Sequence, residues 1–301
     1  MVSVHAHAAA GPNGFNLTRH AVPPSRILKG GPPRNAIPAL VNPLFVPGSR
    51  STLLPDDRVL GLSFNGNAKA YPVRILNWHE LVNDTLGGVP VAITYCPLCA
   101  SGVAFDRGKG GVVPTFGVSG LLYNSNMLLY DHASESLWTQ MGMRAITGPR
   151  TGDRLDQLPL YHGTWAGWLK KHPRTLALSF DTGHQRDYQR DPYATYHTSP
   201  RLYFPVDAES AALPRKALIL GVILGGVARA YPLTELARHD GPLSDRIGNR
   251  SVAIHFDSSA NSPKVTGPTG KEMPGIVSYW FAWYAFYPET TLWRSPPRES
   301  P

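Results

Sequence analysis

Residues 59–73 read VLGLSFNGNAKAYPV, and residues 219–233 repeat the pattern as ILGVILGGVARAYPL. Two glycines and the Ala-Tyr-Pro triplet fall at equal positions in the two stretches. The agreement continues downstream, where His79-Glu80 aligns with His239-Asp240. Agreement of this length and order predicts an internal duplication.

Each copy is expected to begin as a β-hairpin. Asn65-Gly66 is the dipeptide that a type I′ turn prefers, and alternating apolar residues flank it. A short helix is predicted at residues 75–83, followed by a strand at 89–95 and a return strand at 101–106. The same order of elements should occur in both copies.

Two further segments complete the predicted secondary structure. Residues 165–171 should form a helix with Thr164 as its N-cap. Residues 276–287 are rich in Trp, Tyr and Phe, which favours a buried strand. The predicted fold class is mainly β (α+β), with two similar β-rich lobes, a few short helices and an extended N-terminal arm.

The composition suggests how these parts divide the chain. Residues 1–45 are rich in Pro and Gly and should form the extended arm. Residues 46–205 should form the first lobe, which carries both cysteines, and residues 206–301 the second, thiol-free lobe. We expect a monomer, whose partner would be a small molecule or a protein that delivers metal.

Charge and hydropathy exclude two classes of function. The formal net charge is +8, but the basic residues are dispersed and not interleaved with aromatic residues. We therefore expect no nucleic-acid partner. No apolar segment reaches the ~18–20 residues that a membrane span requires, so no span is expected.

The first ten residues, MVSVHAHAAA, resemble the small-residue end of a secretion signal. They show its A-x-A pattern without the apolar segment that precedes it. We expect an exported protein, periplasmic or extracellular, whose signal peptide is absent from this chain. His5 and His7 lie in this tail and are expected to have no role.

Both cysteines of the chain lie in the run TYCPLC, as Cys96 and Cys99. The C-x-x-C spacing lets two sulfur atoms converge on one metal ion or on each other. The second copy has Asp257, Ser258 and Ser259 at this place. The structural element therefore does not require thiols, and the first copy has a chemistry that the second lacks.

Four interpretations of the cysteine pair are open. In the one we favour, Cys96, Cys99 and His79 bind a metal, because two thiolates and an imidazole suit copper or zinc. The pair could instead be a redox dithiol, or a structural disulfide. In the fourth, a single nucleophilic cysteine uses His79 as its base. His79 could also serve only a hydrogen bond in the core.

Further residues are candidates for the wall of a pocket. They lie near the cysteines or in stretches that mix amides, aromatic and acidic residues, and they are Tyr95, Asn124, Asn126, Met127, Asp131, His132 and Trp138. His184 and His197 fall in residues 182–198, which we expect to form a salt-bridged surface loop. The sequence has no P-loop, G-x-G-x-x-G, G-x-S-x-G or H-E-x-x-H motif, which disfavours nucleotide-binding, α/β-hydrolase and zincin functions.

Several strings together resemble a known family, and these are ILNWHE at 75–80, TYCPLC at 94–99, GVAFDR at 102–107, Tyr130-Asp131 and SLW at 136–138. The chain is similar over residues 37–293 to the bacterial and archaeal family called domain of unknown function 3179. The resemblance implies export and a shared motif, but no reaction. Family members commonly have Gly where this chain has Ala100, so the backbone there should favour glycine. The family also has a basic residue at the place of His132, which disfavours His132 as a family ligand.

These observations lead to one expected function and two alternatives. The expected function is an exported metal-binding protein with copper bound by Cys96, Cys99 and His79, and with zinc as the alternative metal. Its role would be redox chemistry or copper handling, and an enzyme of this kind would be a metal-dependent oxidoreductase. The alternatives are a non-enzymatic ligand-binding protein with a C-x-x-C disulfide, and a metal-free thiol redox enzyme.

Overall fold

The computed structural model describes residues 11–108 and 113–295, so His5 and His7 lie outside the described residues. Strands account for 40% of the residues and helices for 14%, which confirms a mainly β fold. None of the described helices is long and apolar enough to cross a lipid bilayer.

The strands follow one another in short steps along the chain. They are β1 (Leu28–Lys29), β2 (Leu40–Val41), β3 (Phe45–Pro47), β4 (Arg58–Phe64), β5 (Asn67–Pro72), β6 (Leu81–Leu86), β7 (Val89–Cys96), β8 (Ser101–Asp106), β9 (Phe116–Tyr123), β10 (Asn126–Asp131), β11 (Leu137–Thr139), β12 (Arg144–Ala145), β13 (Asp156–Leu158), β14 (Tyr161–Thr164), β15 (Leu176–Leu178), β16 (Leu218–Leu224), β17 (Val227–Pro232), β18 (Leu243–Ile247), β19 (Arg250–Asp257), β20 (Ser262–Thr266), β21 (Glu272–Met273), β22 (Ile276–Tyr279) and β23 (Thr291–Leu292). The helices are α1 (Val73–His79), α2 (Trp165–Lys171), α3 (Ala194–Thr198), α4 (Leu233–Leu236) and α5 (Trp280–Phe286).

These strands form five sheets arranged as a propeller-like ring. The strand orders are β1-β9-β10-β11-β12, β13-β8-β7-β6-β2, β14-β4-β5-β15-β3, β22-β16-β17-β23 and β18-β19-β20-β21. The first of these is called the inserted sheet, because all of its strands except β1 lie in sequence between β8 and β13. Strands β1 and β2, from the N-terminal segment, extend two of the sheets at their edges.

One order of elements occurs twice. From β4 to β8 and from β13 to β15, with α1 and α2, the chain forms what we call the first unit. From β16 to β23, with α4 and α5, the second unit has the same succession of hairpin, helix, three-stranded meander and second helix. The inserted sheet has no counterpart between β20 and β21.

The shared glycines of the two units have a packing reason. A Cβ atom at Gly61 would lie 2.4 Å from the indole of Trp168, and one at Gly221 would lie 2.2 Å from that of Trp283. Both indoles come from the second helix of their unit and cover its first hairpin. Any side chain at either glycine would displace a buried tryptophan.

The predicted hairpin turn is confirmed. Asn65 and Gly66 both have positive φ, 49° and 75°, as a type I′ turn requires. In the second unit Gly225 and Gly226 adopt φ of 59° and 83° at the equivalent turn. The right-handed twist of the flanking strands favours this turn, so the local sequence was sufficient to predict it.

The helix predicted at residues 75–83 is shorter than expected and starts earlier. It spans Val73–His79 and ends because Glu80 takes a left-handed conformation with φ of 57°. The chain then leaves as β6, and Leu81–Leu86 pairs with β7 along its whole length. Pairing with a neighbouring strand therefore outweighed the helical pattern after Glu80.

The prediction for residues 276–287 is wrong beyond its first four residues. The strand β22 ends at Tyr279, and Trp280–Phe286 forms α5. β-prone aromatic residues form this helix because the second unit needs Trp283 over Gly221. The matching helix at Trp165–Lys171 is confirmed, and the Thr164 side chain accepts a hydrogen bond from the Gly167 N–H.

The two units bind each other through reciprocal contacts. The carbonyl of Cys99, in the turn after β7, accepts a 2.8 Å hydrogen bond from the backbone N–H of Tyr279. The carbonyl of Ala260, in the turn after β19, accepts a 3.1 Å bond from the N–H of Thr164. Each turn thus holds the start of the other unit's second helix, which places the cysteine turn at the contact between the units.

Candidate functional site

The cysteines lie where β7 turns into β8. Cys96 is the last residue of β7 and pairs with Ser101, the first residue of β8. The Cys99 N–H donates a 3.1 Å hydrogen bond to the Cys96 carbonyl, which closes the turn. Ala100 has φ of 49°, a left-handed conformation that glycine adopts without strain. This geometry explains why glycine suits the position. Both thiols are free and buried.

The Cys96 sulfur is placed to carry a negative charge. Its burial opposes ionisation, but hydrogen bonds from the Cys99 thiol and from the backbone N–H groups of Met127, Cys99 and Leu98 lower its pKa below the ordinary value. Met127 belongs to the inserted sheet, so two parts of the chain combine to stabilise this thiolate. A thiolate is the reactive form of cysteine.

The Cys99 sulfur has the opposite character. Burial and the nearby charge of Cys96 raise the pKa of Cys99 well above its ordinary value. Its thiol lies 3.4 Å from the Ser125 carbonyl oxygen, and the Asn126 amide donates to the sulfur at 3.5 Å. Cys96 is therefore the more easily ionised sulfur of the pair, and the Cys99 thiol donates to it.

A buried network of side-chain hydrogen bonds fixes the cysteine turn. Asn126 donates to Gln140 Oε1 at 2.8 Å, and the same oxygen accepts from Ser101 Oγ at 2.7 Å. Gln140 Nε2 donates to Thr94 Oγ1 at 3.0 Å. All four side chains are fully buried, so the network holds the inserted sheet against β7 and β8 in one arrangement.

The equivalent turn of the second unit holds a carboxylate where the first holds Cys96. Asp257 ends β19 as Cys96 ends β7, and Asn261 has φ of 47° at the place of Ala100. The Asp257 carboxylate accepts hydrogen bonds from Ser259 Oγ at 2.7 Å and from the Ala260 N–H at 3.2 Å. The turn thus favours an anion at its first position in both units.

Glu80 is a second ionisable group beside Cys96. Burial and the negative charge of Cys96 raise its pKa, and a hydrogen bond from the Tyr193 hydroxyl lowers it, with a net result of about 8. The left-handed conformation that ends α1 also lets its carbonyl accept the Tyr95 N–H at 2.7 Å. At neutral pH the site thus holds a protonated carboxyl next to the Cys96 sulfur, whose pKa is lowered.

Glu80→Gln should reduce the pH dependence of stability. The folded protein keeps the Glu80 proton until about pH 8, whereas the unfolded chain releases it near the ordinary pKa of 4.5. The free energy of unfolding therefore falls as pH rises from about 4.5 to 8, and the substitution should remove several kcal/mol of this fall. Urea unfolding at pH 5 and pH 8 measures this difference in the free energy of unfolding. Asp240→Asn, at the exposed equivalent position, is the control and should change nothing. An unaltered slope in Glu80→Gln would contradict the expectation.

A cavity of about 220 Å³ opens beside Cys96 and Glu80. Its lining is mostly apolar and comes from the N-terminal segment, the cysteine turn, the inserted sheet and the segment after α3, and it includes Ile37, Leu98, Val118, Met127, Tyr203 and Phe204. Cys96 lines this cavity and Cys99 does not. A small apolar group that enters it would therefore meet the Cys96 sulfur and not that of Cys99.

His79 uses both of its ring nitrogens in structural hydrogen bonds. Nδ1 donates to the Pro38 carbonyl at 2.8 Å, so Nε2 is the acceptor and receives the Tyr188 hydroxyl at 2.6 Å. Burial lowers the pKa of His79 to about 4, which keeps it neutral at pH 7. The structure thus places His79 between the N-terminal segment and Tyr188, with no nitrogen left over for a metal.

Residues 182–204, which we call the covering segment, are mostly exposed but place several side chains against the site. Tyr188 binds His79, and the Asn77 amide donates to Asp191 Oδ1 at 3.1 Å. Tyr193 donates to Glu80, and the fully buried Tyr196 packs in the core that contains both cysteines. Most of residues 182–198 are exposed, and His197 lies 3.8 Å from Asp191, as expected of a salt-bridged surface loop. Tyr188 and Tyr196 are the exceptions, because they are buried against His79 and in the core of the cysteines.

His79→Ala should loosen the covering segment. The substitution removes the Nε2 acceptor of Tyr188 and leaves the Pro38 carbonyl without its donor. Trypsin should then cleave after Arg186 or Arg190 at least about tenfold faster than in the wild type, because local opening governs such cleavage. His239→Ala, at the equivalent position of the second unit, should leave the cleavage rate unchanged. Equal rates in all three proteins would contradict this role of His79.

Two of the predicted pocket residues contact the cysteines, and the others do not. Asn126 contacts Cys99, and the Met127 backbone contacts Cys96. Tyr95 points to the opposite face of β7, into a different core. Asn124 binds the Ala285 carbonyl at 3.1 Å and lines a second cavity.

The remaining candidates have structural partners. Asp131 accepts hydrogen bonds from Ser134 and from the Trp138 indole at 2.9 Å, and His132 is exposed and stacks on Tyr130. His184 and His197 do not form a pair, because His184 lies against His79 and His197 accepts from the Tyr279 hydroxyl. Within residues 11–108 and 113–295, no group of three or more His, Cys, Asp and Glu side chains is arranged to hold a metal ion.

Sequence analysis missed three functional candidates, Glu80, Tyr193 and Gln140. Glu80 was part of the string that carries the family resemblance, and this was the one available signal. Gln140 lies 41 positions after Cys99, directly after the short strand β11, and Tyr193 lies in a loop rich in charge. Only the folded chain brings them to the cysteines.

The site geometry can be set beside known proteins. No curated protein and no solved structure matches the chain. The family model described as "Protein of unknown function (DUF3179)" matches residues 34–290. This range contains the cysteine turn, Glu80, the inserted sheet and the covering segment, so the site lies within the shared part. The chain therefore belongs to the DUF3179 family.

Proposed function

We propose that the protein is a metal-free thiol redox enzyme, with Cys96 as the nucleophile and Cys99 as the resolving thiol. The observation that supports this most is the set of four hydrogen bonds to the buried Cys96 sulfur. The second unit has an aspartate at the same position of the same turn, which is independent support for an anion there. Glu80 would supply and accept protons beside the thiolate.

The proposed reaction begins with attack on a substrate disulfide. The Cys96 thiolate forms a new S–S bond with one substrate sulfur, and the substrate S–S bond breaks. The departing thiolate takes the proton of Glu80 and leaves as a thiol. The raised pKa of Glu80, about 8, makes it a proton donor at neutral pH.

The second half of the reaction resolves the mixed disulfide. The Glu80 carboxylate takes the Cys99 proton, and the Cys99 thiolate attacks the Cys96 sulfur. The second substrate thiolate leaves and takes this proton from Glu80. One disulfide is thus reduced to two thiols, while Cys96 and Cys99 are oxidised to a disulfide. A cellular dithiol would reduce that disulfide again.

The cavity limits what the substrate can be. Its volume of about 220 Å³ is below the usual ~300–1,000 Å³ of sites for drug-sized ligands. Its walls are mostly apolar, and Glu80 is uncharged at neutral pH. We therefore propose a small, uncharged disulfide, or one apolar group of a larger one, as the substrate.

The stoichiometry of a small chromogenic disulfide tests the proposal. 4,4′-Dithiodipyridine is neutral, compact and apolar, and it releases a coloured thiopyridone on each exchange. The wild type should release two equivalents and end with a Cys96–Cys99 disulfide. Cys99→Ser should release one equivalent and retain a stable mixed disulfide, because its resolving thiol is gone. Cys96→Ser should react slowly, because Cys99 is the protonated thiol of the pair and does not line the cavity.

Two results would overturn the proposal. One is a wild type that ends with both cysteines as mixed disulfides, which would show that the pair does not resolve. The other is equal reaction rates for the two single variants. Glu80→Gln gives the matched test of the proton donor and should slow the release of the first equivalent while leaving the final stoichiometry at two.

A second candidate function is the binding of a soft metal, copper first and zinc as the alternative. The observation that favours it is the side chain of Met127, which lines the same cavity as Cys96 and would add a thioether to two thiolates. Met127 would be the third ligand instead of the expected His79, because both His79 ring nitrogens already have partners. This form would be a copper-handling protein.

Elemental analysis and Cu(I) titration distinguish the two candidates. Protein purified without chelator should contain one copper per chain if the metal function is correct. Cys96→Ser should then lose the metal, Met127→Leu should bind it less tightly, and His79→Gln should retain it. A wild type that holds no metal and binds none in competition with a Cu(I) chelator would exclude this candidate without affecting the thiol proposal.

We also infer that the two units arose by duplication of one hairpin–helix–meander unit and form two similar lobes. The recurring order of elements and the matched Gly–Trp contacts support this inference. Superposition of the backbones of residues 55–107 and 215–267 in an experimental structure tests it. We further propose export, on the basis of the small-residue N-terminus and the family resemblance. Cell fractionation of the native protein tests that part.

A further inference from the structure

A second cavity, of about 250 Å³, lies between the inserted sheet and the second unit. Tyr123, Thr139, Met143 and Arg144 line it from the inserted sheet and its turn. Ile223, Phe286 and Tyr287 line it from the second unit, and Arg154 completes its wall. None of the residues that line the thiol cavity lines this one, so the two cavities are separate.

Two guanidinium groups of this cavity form no ion pair with an acidic side chain among the residues that the structure describes. Arg144 and Arg154 are held next to each other by an isolated β-bridge, and both side chains are exposed. Among the ion pairs formed within the described part of the chain, none includes either residue. The neighbouring Arg150, by contrast, pairs with Asp153 at 2.8 Å. Two adjacent like charges without a counter-ion repel each other, and an anion between them would remove that repulsion.

Both guanidinium groups act on the same side chain of the cavity wall. Burial raises the pKa of Tyr287, and the positive charges of Arg144 and Arg154 oppose that rise. The Tyr287 hydroxyl donates to the Met141 carbonyl at 2.6 Å, so its ring is fixed in place. Both charges therefore lie close to Tyr287, and that of Arg144 also acts on Tyr123, whose hydroxyl binds Asp207.

Aromatic rings form the rest of that wall. Tyr123 and Phe286 pack edge to face with ring centroids 5.7 Å apart. The Asn124 amide donates to the Ala285 carbonyl at 3.1 Å, which holds the inserted sheet to α5. Aromatic rings favour flat apolar groups, and paired guanidinium groups favour carboxylates, which they bind with two parallel hydrogen bonds.

We propose that this second cavity binds a small aromatic carboxylate, with the carboxylate between Arg144 and Arg154 and the ring against Phe286 and Tyr287. The cavity volume of about 250 Å³ fits a single substituted ring and excludes larger ligands. The site lies outside the thiol cavity and does not depend on the function proposed for Cys96. A ligand bound there would contact both the inserted sheet and the second unit.

Titration of the full chain with benzoate, followed calorimetrically, tests the site. Wild type should bind one benzoate per chain, and benzamide, its uncharged analogue, should bind at least about tenfold more weakly. Arg144→Gln and Arg154→Gln should each weaken benzoate binding at least about tenfold. Arg144→Lys should recover little of the loss, because lysine keeps the charge and lacks the planar fork. Arg150→Gln is the matched control and should bind as the wild type does.

Three outcomes would overturn the proposal. The first is no binding by the wild type up to about 10 mM benzoate. The second is an equal loss in Arg150→Gln, which would show a general charge effect. The third is binding of inorganic phosphate as tightly as benzoate, because the aromatic wall would then add nothing. Thermal unfolding of each variant without ligand identifies any variant that fails to fold. If Arg144→Gln is such a variant, Arg154→Gln and Arg144→Lys provide the test. If the arginine variants lose stability and the wild type does not bind benzoate, the two arginines only stabilise the carbonyl end of α5.

Discussion

At pH 7, Cys99→Ser should react with iodoacetamide on the order of 100 times faster than Cys96→Ser. In Cys99→Ser the remaining thiol is Cys96, which lines the cavity and keeps the hydrogen bonds from the backbone of Met127 and Leu98. In Cys96→Ser the remaining thiol is Cys99, whose pKa burial raises and which does not line the cavity. The lower pKa of Cys96 and its access from the cavity therefore both favour the faster reaction of Cys99→Ser.

Mass spectrometry of the alkylated protein over time gives both rates. The same variants unfolded in guanidinium are the control, because the two cysteines should then react at similar rates. Similar rates in the folded variants would contradict the asymmetry that the hydrogen bonds of Cys96 predict. A faster reaction of Cys99 would reverse the roles proposed for the two thiols.

Asp84→Ala should lower the free energy of unfolding by about 3–5 kcal/mol. The Asp84 side chain is buried, and its carboxylate accepts hydrogen bonds from Lys69 Nζ at 2.9 and 2.8 Å and from the Tyr71 hydroxyl at 2.8 Å. Removing it leaves the fully buried Tyr71 hydroxyl without its acceptor and the largely buried Lys69 ammonium group with only the Thr85 carbonyl. Urea unfolding measures the loss.

Asp245→Ala in the second unit is the matched control for Asp84→Ala. The Asp245 carboxylate accepts from Arg229 Nε at 2.6 Å and from the Tyr231 hydroxyl at 2.8 Å, so the two units share this arrangement. Its side chain is 16% exposed and that of Arg229 24%, against 6% and 15% for Asp84 and Lys69. Because water can replace more of the lost contacts, this variant should lose only about 1–2 kcal/mol. An equal loss in both variants would contradict the role of burial.

The repeated hairpins and the cysteine turn could be predicted from the sequence because their determinants are local. Asn65-Gly66 adopts the positive φ values that its turn type needs, and neighbouring residues alone impose them. The family preference for glycine at the place of Ala100 likewise reflects one backbone angle, φ of 49°. The spacing of Cys96 and Cys99 brought their sulfurs together for the same reason, since two residues between them suffice for a turn.

Element boundaries were predicted less well because partners distant in sequence decide them. The helix predicted to continue to residue 83 ends at His79, because the next residues pair with β7. The aromatic run after Tyr279 is a helix, because Trp283 must lie over Gly221, some 60 positions earlier by the residue numbers. The hydrophobic periodicity and the secondary-structure propensity of a segment contain no information on such pairings.

The sequence by itself determined that this protein is mainly β, that one pattern occurs in it twice, and that both of its cysteines lie at one turn. Tertiary structure alone decided the surroundings of that turn. His79 was expected beside the cysteines, yet Pro38 and Tyr188 take its two ring nitrogens. Glu80, by contrast, comes to lie next to Cys96 because α1 ends in a left-handed residue and β6 returns beside β7. A side chain's partners depend on contacts between segments that are far apart in the chain, and folding fixes these through packing that no local pattern records.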